Sequence, residues 1–309
     1  MSPLRFHLER YLKLRRQLGY KLRVTEILLR HFVRFAEAEA APFITAKLAL
    51  GWAAQPHLKP VQRGNRLGMV RRFAKYVSAR DARTEVPAQK LLPCHIRRRP
   101  PHLYREQEVL QLIVAARRIA PGDKLKGATL GTLLGLLATT GMRVGEALAL
   151  DREDVDLKRN LLIIRRAKGN KSRWVPVHPS TRQVLEDYAR LRDGHVPQPA
   201  SPGFFLWEGG ARLLHCTVHR WFLLVAAQTG LRQPGDRCGP RIHDLRHYFA
   251  VRTLLNWYRT GTDVEAHLPE LATYLGHVHV RDSYWYLSAT PELLELATLR
   301  LQRGQKGGE

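Results

Sequence analysis

Apolar residues recur at helical spacing through most of this chain, in two blocks separated by a stretch suited to extended backbone. In the first block Leu4, Leu8, Tyr11, Leu12 and Leu18 fall close to one helical face, and Gly19 ends the run. Thr25 is placed to cap a second helix whose inner face is Leu28, Leu29, Phe32, Val33 and Ala36, and Thr45 to cap a shorter third. A fourth helix over 61–78 turns Leu67, Val70, Ala74 and Val77 inward. The break comes at 91–102, LLPCHIRRRPPH, where three prolines and three consecutive arginines favour an extended linker. Beyond it, Val109, Leu110, Leu112, Ile113, Ala116 and Ile119 trace a helix stopped by Pro121 and Gly122, and another covers 128–140 up to Gly141. Two short strands, 161–166 and 173–177, flank a turn with Gly169 and Asn170. Ser180 and Gln183 are spaced as a capping box for a helix running towards Asp193, and helices follow over 216–228, 243–256 and 269–275, with Gly276 as the last stop. The expected fold class is mainly α (α+β): a helical domain over 1–90, a basic linker over 91–102, and a mostly helical second domain over 103–309 with a small antiparallel sheet.

Charge changes this picture more than length does. The 309 residues hold 51 Lys and Arg against 27 Asp and Glu, a formal net charge of +24. Such a field draws polyanions, above all nucleic acid. It is also uneven: residues 1–100 carry 22 basic against 6 acidic side chains, residues 101–309 carry 29 against 21. On the fourth helix Arg63, Arg66, Arg71, Arg72 and Lys75 have few acids to balance them, so phosphate contact is expected there and at Arg97, Arg98 and Arg99 of the linker. No basic amphipathic anchor, lipidation signal, membrane-length apolar run or signal-peptide h-region is present, which excludes a membrane reading. Three scattered cysteines, Cys94, Cys216 and Cys238, have no metal-ligand spacing and fit free thiols in a reducing cytoplasm. No cofactor or metal is expected.

Four local patterns in the second domain carry chemistry. TTGMRVGEALAL sets Arg143 just after a helix-breaking glycine, with Glu146 three residues on; RRAKGNKSRWVPV presents Lys168 in a hairpin turn. RIHDLRHYFAVRTLL places His243 and Arg246 on one helix face, and YLGHVHVRDSYWYL sets His277 after Gly276 and Tyr286 nine residues further on. Singly, each reads most simply as a surface cation, a solvated turn or a loop aromatic. His243 and His247 also have the i, i+4 spacing of a helical zinc pair, but the glutamate of an HExxH site and a third ligand are missing.

Together, and in this order, the four patterns resemble the tyrosine recombinase (phage integrase) family: TG-x-R-x-x-E, a K-G hairpin, H-x-L-R-H, L-G-H, and a tyrosine nine residues after that histidine. The resemblance implies a covalent DNA strand exchange with Tyr286 as nucleophile and Arg143 and Arg246 as phosphate clamps. It makes Lys168 the hairpin lysine, His243 and His277 the two histidines, and Glu146 the supporting acid. The residue types suit that chemistry. Arginine forks stabilise charge spreading over phosphate oxygens. A phosphotyrosine ester conserves the energy of the broken bond, so religation needs no ATP. His243 would accept the phenol proton and Lys168 protonate the leaving 5′-oxygen. The implied partner is duplex DNA with paired inverted half-sites, bound by a tetrameric synapse of this chain alone or with related recombinases. The tail YWYLSATPELL is closer to transposon-borne recombinases than to chromosome-dimer resolvases. The apolar segment 291–302 is expected to dock on a neighbouring protomer, and Tyr284 to pack beside Trp285. Competing readings are a type IB topoisomerase, a non-catalytic DNA-binding protein of the same fold and, more distantly, a zinc hydrolase.

Overall fold

The computed structural model describes residues 2–92, 100–165, 172–233, 235–236, 239–277, 279–287 and 291–306. The chain divides into two compact units, 1–99 and 100–309.

The first unit is helical. α1 (Pro3–Gln17) is capped by the Ser2 hydroxyl, which accepts the Arg5 N–H, and buries Leu4, Leu8, Tyr11 and Leu12. α2 (Arg23–Ala38) buries Leu29, Phe32, Val33 and Ala36. α3 (Ala46–Ala53) takes its cap from Thr45, and α4 (Pro60–Ser78) opens on a proline, whose missing N–H is harmless at that position. Phe32, Trp52, Phe73 and Val77 meet in one core. Thr25 is not the cap of α2. Leu22 turns the chain in the left-handed region at φ 44° and its carbonyl accepts the Glu26 N–H at 2.7 Å, so the helix begins ahead of the threonine.

The second unit runs α5 (Glu106–Arg117), α6 (Lys124–Thr140), α7 (Val144–Ala147), β1 (Val155–Asp156), β2 (Leu161–Ile164), β3 (Arg173–Pro176), α8 (Pro179–His195), α9 (His215–Gln228), α10 (Asp244–Arg259), α11 (Val264–Leu275), α12 (Arg281–Leu287) and α13 (Pro291–Lys306). α6 is apolar on nearly every side, the pattern of a helix inside a core, and α5, α8 and α10 all pack on it. The three strands form an antiparallel sheet in the order β1-β2-β3, with Leu162 opposite Val175 and Ile164 opposite Arg173. Leu162, Ile164 and Val175 point into the core, whereas Trp174 is 71% exposed. α13 lies on α10 of its own chain: Leu293 is buried against that core, while Leu294 and Leu299 stay exposed. No described helix is long and apolar enough to cross a membrane.

Several helix starts differ from the sequence expectation because an acid or an imidazole caps them. Asp123 accepts the Lys126 N–H at 2.8 Å, so α6 begins before residue 128. Asp263 accepts the Glu265 N–H at 3.1 Å, which starts α11 at Val264 and leaves Pro269 inside it. The Ser180–Gln183 capping box does not form. Pro179 takes the first position, the His178 ring accepts the Ser180 N–H at 3.3 Å, and Gln183 donates to Asp187 instead.

Gly141 ends α6 in the left-handed region at φ 60°, and a Cβ there would meet the Phe249 ring at 2.5 Å. Gly141→Ala should therefore destabilise the protein by at least about 1–2 kcal/mol, the cost of the backbone conformation alone. Gly51→Ala, in a helix with open space around the position, should instead stabilise by up to about 1 kcal/mol. Denaturant titration of both variants checks this; equal effects would show that the α6 terminus is not the tight junction described.

Candidate functional site

The site is built on two helix ends and one helix start. α6 ends at Gly141 and α11 ends at Gly276, also left-handed at φ 68°. Arg246 lies in the first turn of α10, is 3% exposed, and reaches both ends. Its Nη1 donates to the Gly141 carbonyl and its Nη2 to the Leu275 carbonyl, each at 2.8 Å. Arg143 and His277 follow immediately after these two junctions.

Arg143 is half-buried at the start of α7. Glu146, one turn on, accepts the Arg143 backbone N–H at 3.0 Å and its Nη1 at 2.7 Å, and Arg143 Nη2 donates to the Gly276 carbonyl at 3.1 Å. Glu146 also accepts from both terminal guanidinium nitrogens of Arg173, at 3.1 and 2.8 Å. Burial pushes the Glu146 pKa up, but hydrogen bonds from Arg173 and the Arg143 backbone, with the charge of Arg173, outweigh it and hold the carboxyl at about 2.

His277 hydrogen-bonds Ser283 of α12 through Nδ1 at 2.7 Å. Tyr286, on the same helix, lies nearly parallel to the His277 ring, with centroids 6.0 Å apart and an 18° interplanar angle, and meets His247 edge-on at 5.3 Å. His247 in turn meets His243 at 5.6 Å. Tyr286 is 4% exposed and Tyr284 is 55% exposed. Two residues on a helix point roughly 200° apart, so only one of the pair can face this site. Tyr284 is consequently not the packing residue expected beside Trp285.

The histidines are held neutral. Desolvation, reinforced by Arg246 and Arg143, lowers the pKa of His277 to about 4; desolvation and His243 lower that of His247 to about 4. His243 keeps an exposed edge, yet the protein around its ring and the charge of Arg246 still bring its pKa below the ordinary value. The arrangement offers two arginine cations, a neutral imidazole and a phenol in one place. That set suits a phosphodiester.

The chain belongs to the phage integrase family. Its residues 103–292 match that family's model. It is 45% identical over 98% of both chains to y4rB of Sinorhizobium fredii, named as an integrase/recombinase, and 28% identical to tyrosine recombinase XerC of Chlamydia trachomatis, covering 74% of this chain and 67% of that one. Among solved structures it is similar to the Tn1549 transposon integrase with circular intermediate DNA, at a TM-score of 0.64 and 18% identity over 96% of this chain and 99% of that one. The XerH site-specific recombinase on its difH substrate gives 0.63 and 19%, over 88% of this chain and 77% of that one. The chain is a tyrosine recombinase, of a family whose members cleave and rejoin DNA at specific sites.

Of the expected site residues in this recombinase, Arg143, Glu146, His243, Arg246, His277 and Tyr286 come together around the two helix ends. Lys168 lies outside the described residues, as do Arg97, Arg98 and Arg99. On α4, Arg63 donates to the carbonyls of Leu58 and Pro56, Arg66 to Gln55 while covering the Trp52 ring, and Arg71 to the Pro87 carbonyl. Arg72 and Lys75 are exposed. Arg173 and Ser283 belong to the site but were not singled out from the sequence, and His247, weighed there only as half of a zinc pair, packs on Tyr286 instead. Strand alternation carried a signal for Arg173, which shares a face with the core residue Val175.

These shifts fix a pH dependence of stability. Unfolded histidines near 6.5 take up protons that native His247 and His277 refuse until about 4, so acid favours unfolding. Glu146, held at about 2 against 4.5, acts in the same sense lower down. The thermal midpoint should fall steadily as pH drops from 6.5 towards 4, and fall less in His247→Phe. A flat or rising midpoint over that window would contradict the neutral assignment.

Proposed function

We propose that this recombinase cleaves one DNA strand by attack of the Tyr286 hydroxyl on a phosphodiester held by Arg143 and Arg246, forming a 3′-phosphotyrosine and freeing a 5′-hydroxyl. The observation that carries the reading is the grouping of both arginines at the ends of α6 and α11, with His277 next to them and Tyr286 lying nearly parallel to its ring. The phosphate carries its charge into the transition state, and guanidinium forks aimed at the non-bridging oxygens stabilise it. His243, neutral at pH 7, accepts the phenol proton, and His277 donates to a phosphate oxygen. Lys168 protonates the leaving 5′-oxygen. Attack by a 5′-hydroxyl from a partner strand reverses the step and exchanges strands. Tyr286 is buried in the free protein, so α12 shifts as the phosphate enters.

The first domain, over 1–90, holds the duplex through phosphates, with Arg72 and Lys75 on the exposed face of α4 and the linker arginines Arg97, Arg98 and Arg99 as contacts; Arg63, Arg66 and Arg71 share their donors with the protein. Each active site cuts one strand, so a full exchange takes four protomers on paired inverted half-sites. The exposed Leu294 and Leu299 of α13 are the surface through which the tail meets a neighbour. The DNA complexes of the similar Tn1549 integrase and XerH support DNA as the partner, and the reaction is placed in the cytoplasm.

The test is covalent trapping. Fragments spanning the DNA around the gene for this chain are incubated with the protein, and those that stay bound in denaturant are sequenced. On a nicked duplex carrying the recovered site, the wild type should accumulate the adduct in EDTA, Tyr284→Phe should form it, and Tyr286→Phe should not while still binding the site. Adduct from Tyr286→Phe would move the nucleophile; no adduct from the wild type on any fragment would overturn the catalytic reading.

A further inference from the structure

Glu146 stands in an unusual place for an acid. It is 8% exposed, and between them its two oxygens accept the Arg143 backbone N–H, Arg143 Nη1 and both terminal nitrogens of Arg173. Paired with Arg143 alone, its charge would cancel the cation that a phosphate needs, because a buried one-to-one ion pair is neutral at a distance. With Arg173 sharing the carboxylate, the three groups keep a net charge of +1. Arg173 is committed to the protein through every nitrogen. Its side chain is only 13% exposed, and each of its three nitrogens has a protein acceptor, since Nε donates to the Tyr274 carbonyl at 2.8 Å. That last bond matters for the other half of the site. Tyr274 is two residues ahead of Gly276, where a Cβ would meet Arg173 Nη1 at 2.8 Å, and His277 comes next. The sheet supplies the anchor: Arg173 begins β3, paired opposite Ile164 of β2.

We propose that Arg173 is a positioning residue for strand cleavage: it occupies Glu146 so that Arg143 remains available to the phosphate, and it fixes the segment from Tyr274 to His277. The inference rests on the reading of Arg143 as a phosphate clamp. Removing Arg173 leaves Glu146 with Arg143 as its only strong partner, and the pair then closes on itself. Removing the glutamate charge as well takes away the reason for that collapse. The signature of positioning is therefore a rescue: the double variant is better than the single one. Loss of a structural support gives the opposite, since a second deletion in a supporting network adds damage.

The experiment measures single-turnover adduct formation and DNA affinity on the nicked duplex recovered by trapping, with the full chain. Arg173→Gln should slow adduct formation roughly 10- to 100-fold, the range typical when the partner that orients a functional ligand is lost, with affinity changed less than about threefold. Arg173→Gln with Glu146→Gln should recover several-fold of that loss. Arg173→Lys, which keeps the charge but not the fork, should fall between the wild type and Arg173→Gln, and guards against a misfolded glutamine variant. Thermal melts confirm that the variants compared are folded. Wild-type rates in folded Arg173→Gln, or a double variant no faster than the single, would overturn the inference while a wild-type adduct lost in Tyr286→Phe leaves the catalytic reading standing. Absence of adduct from the wild type would overturn both.

Discussion

A buried guanidinium organises the second unit. Arg246 sits at 3% exposure, and removing such a cation from water costs several kcal/mol unless fixed acceptors replace the lost hydration. The acceptors are the carbonyls of Gly141 and Leu275, at the C-terminal ends of α6 and α11. Helix C-termini carry partial negative charge and carbonyls without intrahelical partners, so a cation satisfies both ends at once. Both junctions use a left-handed glycine, and both release a site residue within the next two positions. Arg246 thus ties together the two helix ends that carry Arg143 and His277, with Arg143 and Arg173 adding bonds to the second.

The same arrangement concentrates positive charge. Arg143, Arg173 and Arg246 surround one carboxylate, Glu146, and the excess depresses the pKa of His277 alongside its desolvation. Like charges held close are costly in the free protein, and on the proposed reading they become favourable when a phosphate arrives, so that the site would trade stability for readiness to bind an anion. Aromatic packing handles the proposed nucleophile separately. Tyr286 is covered by His277 and His247, both neutral, and its helix is tied to the site by the bond between His277 and Ser283.

Much of this was legible in the sequence. Helical periodicity located the principal helices, the two glycine stops were visible, and the order of the chemistry-bearing residues pointed to one family. Boundaries were less legible. Caps from Asp123, Asp263 and His178 depend on side-chain rotations that periodicity does not encode. Arg173 was missed because an arginine after a basic turn reads as solvated; only its alternation with Val175 placed it inward. The nine-residue offset from His277 had already selected Tyr286 over Tyr284; the helical conformation of α12 adds that one ring faces the site and the other solvent. Arg63 and Arg71 had looked like free cations, and their bonds to the carbonyls of Pro56 and Pro87 depend on where two loops pass.

The organising role of Arg246 is open to a direct measurement. A lysine at that position keeps the positive charge but cannot donate to both helix ends and still present a fork to phosphate. On the nicked duplex, Arg246→Lys should lose adduct formation by roughly 100-fold or more, equivalent to about 3 kcal/mol of transition-state stabilisation, while its affinity for the same DNA changes little. Cleavage by folded Arg246→Lys at close to the wild-type rate would contradict the account, because the two helix ends and the phosphate would then not depend on that guanidinium.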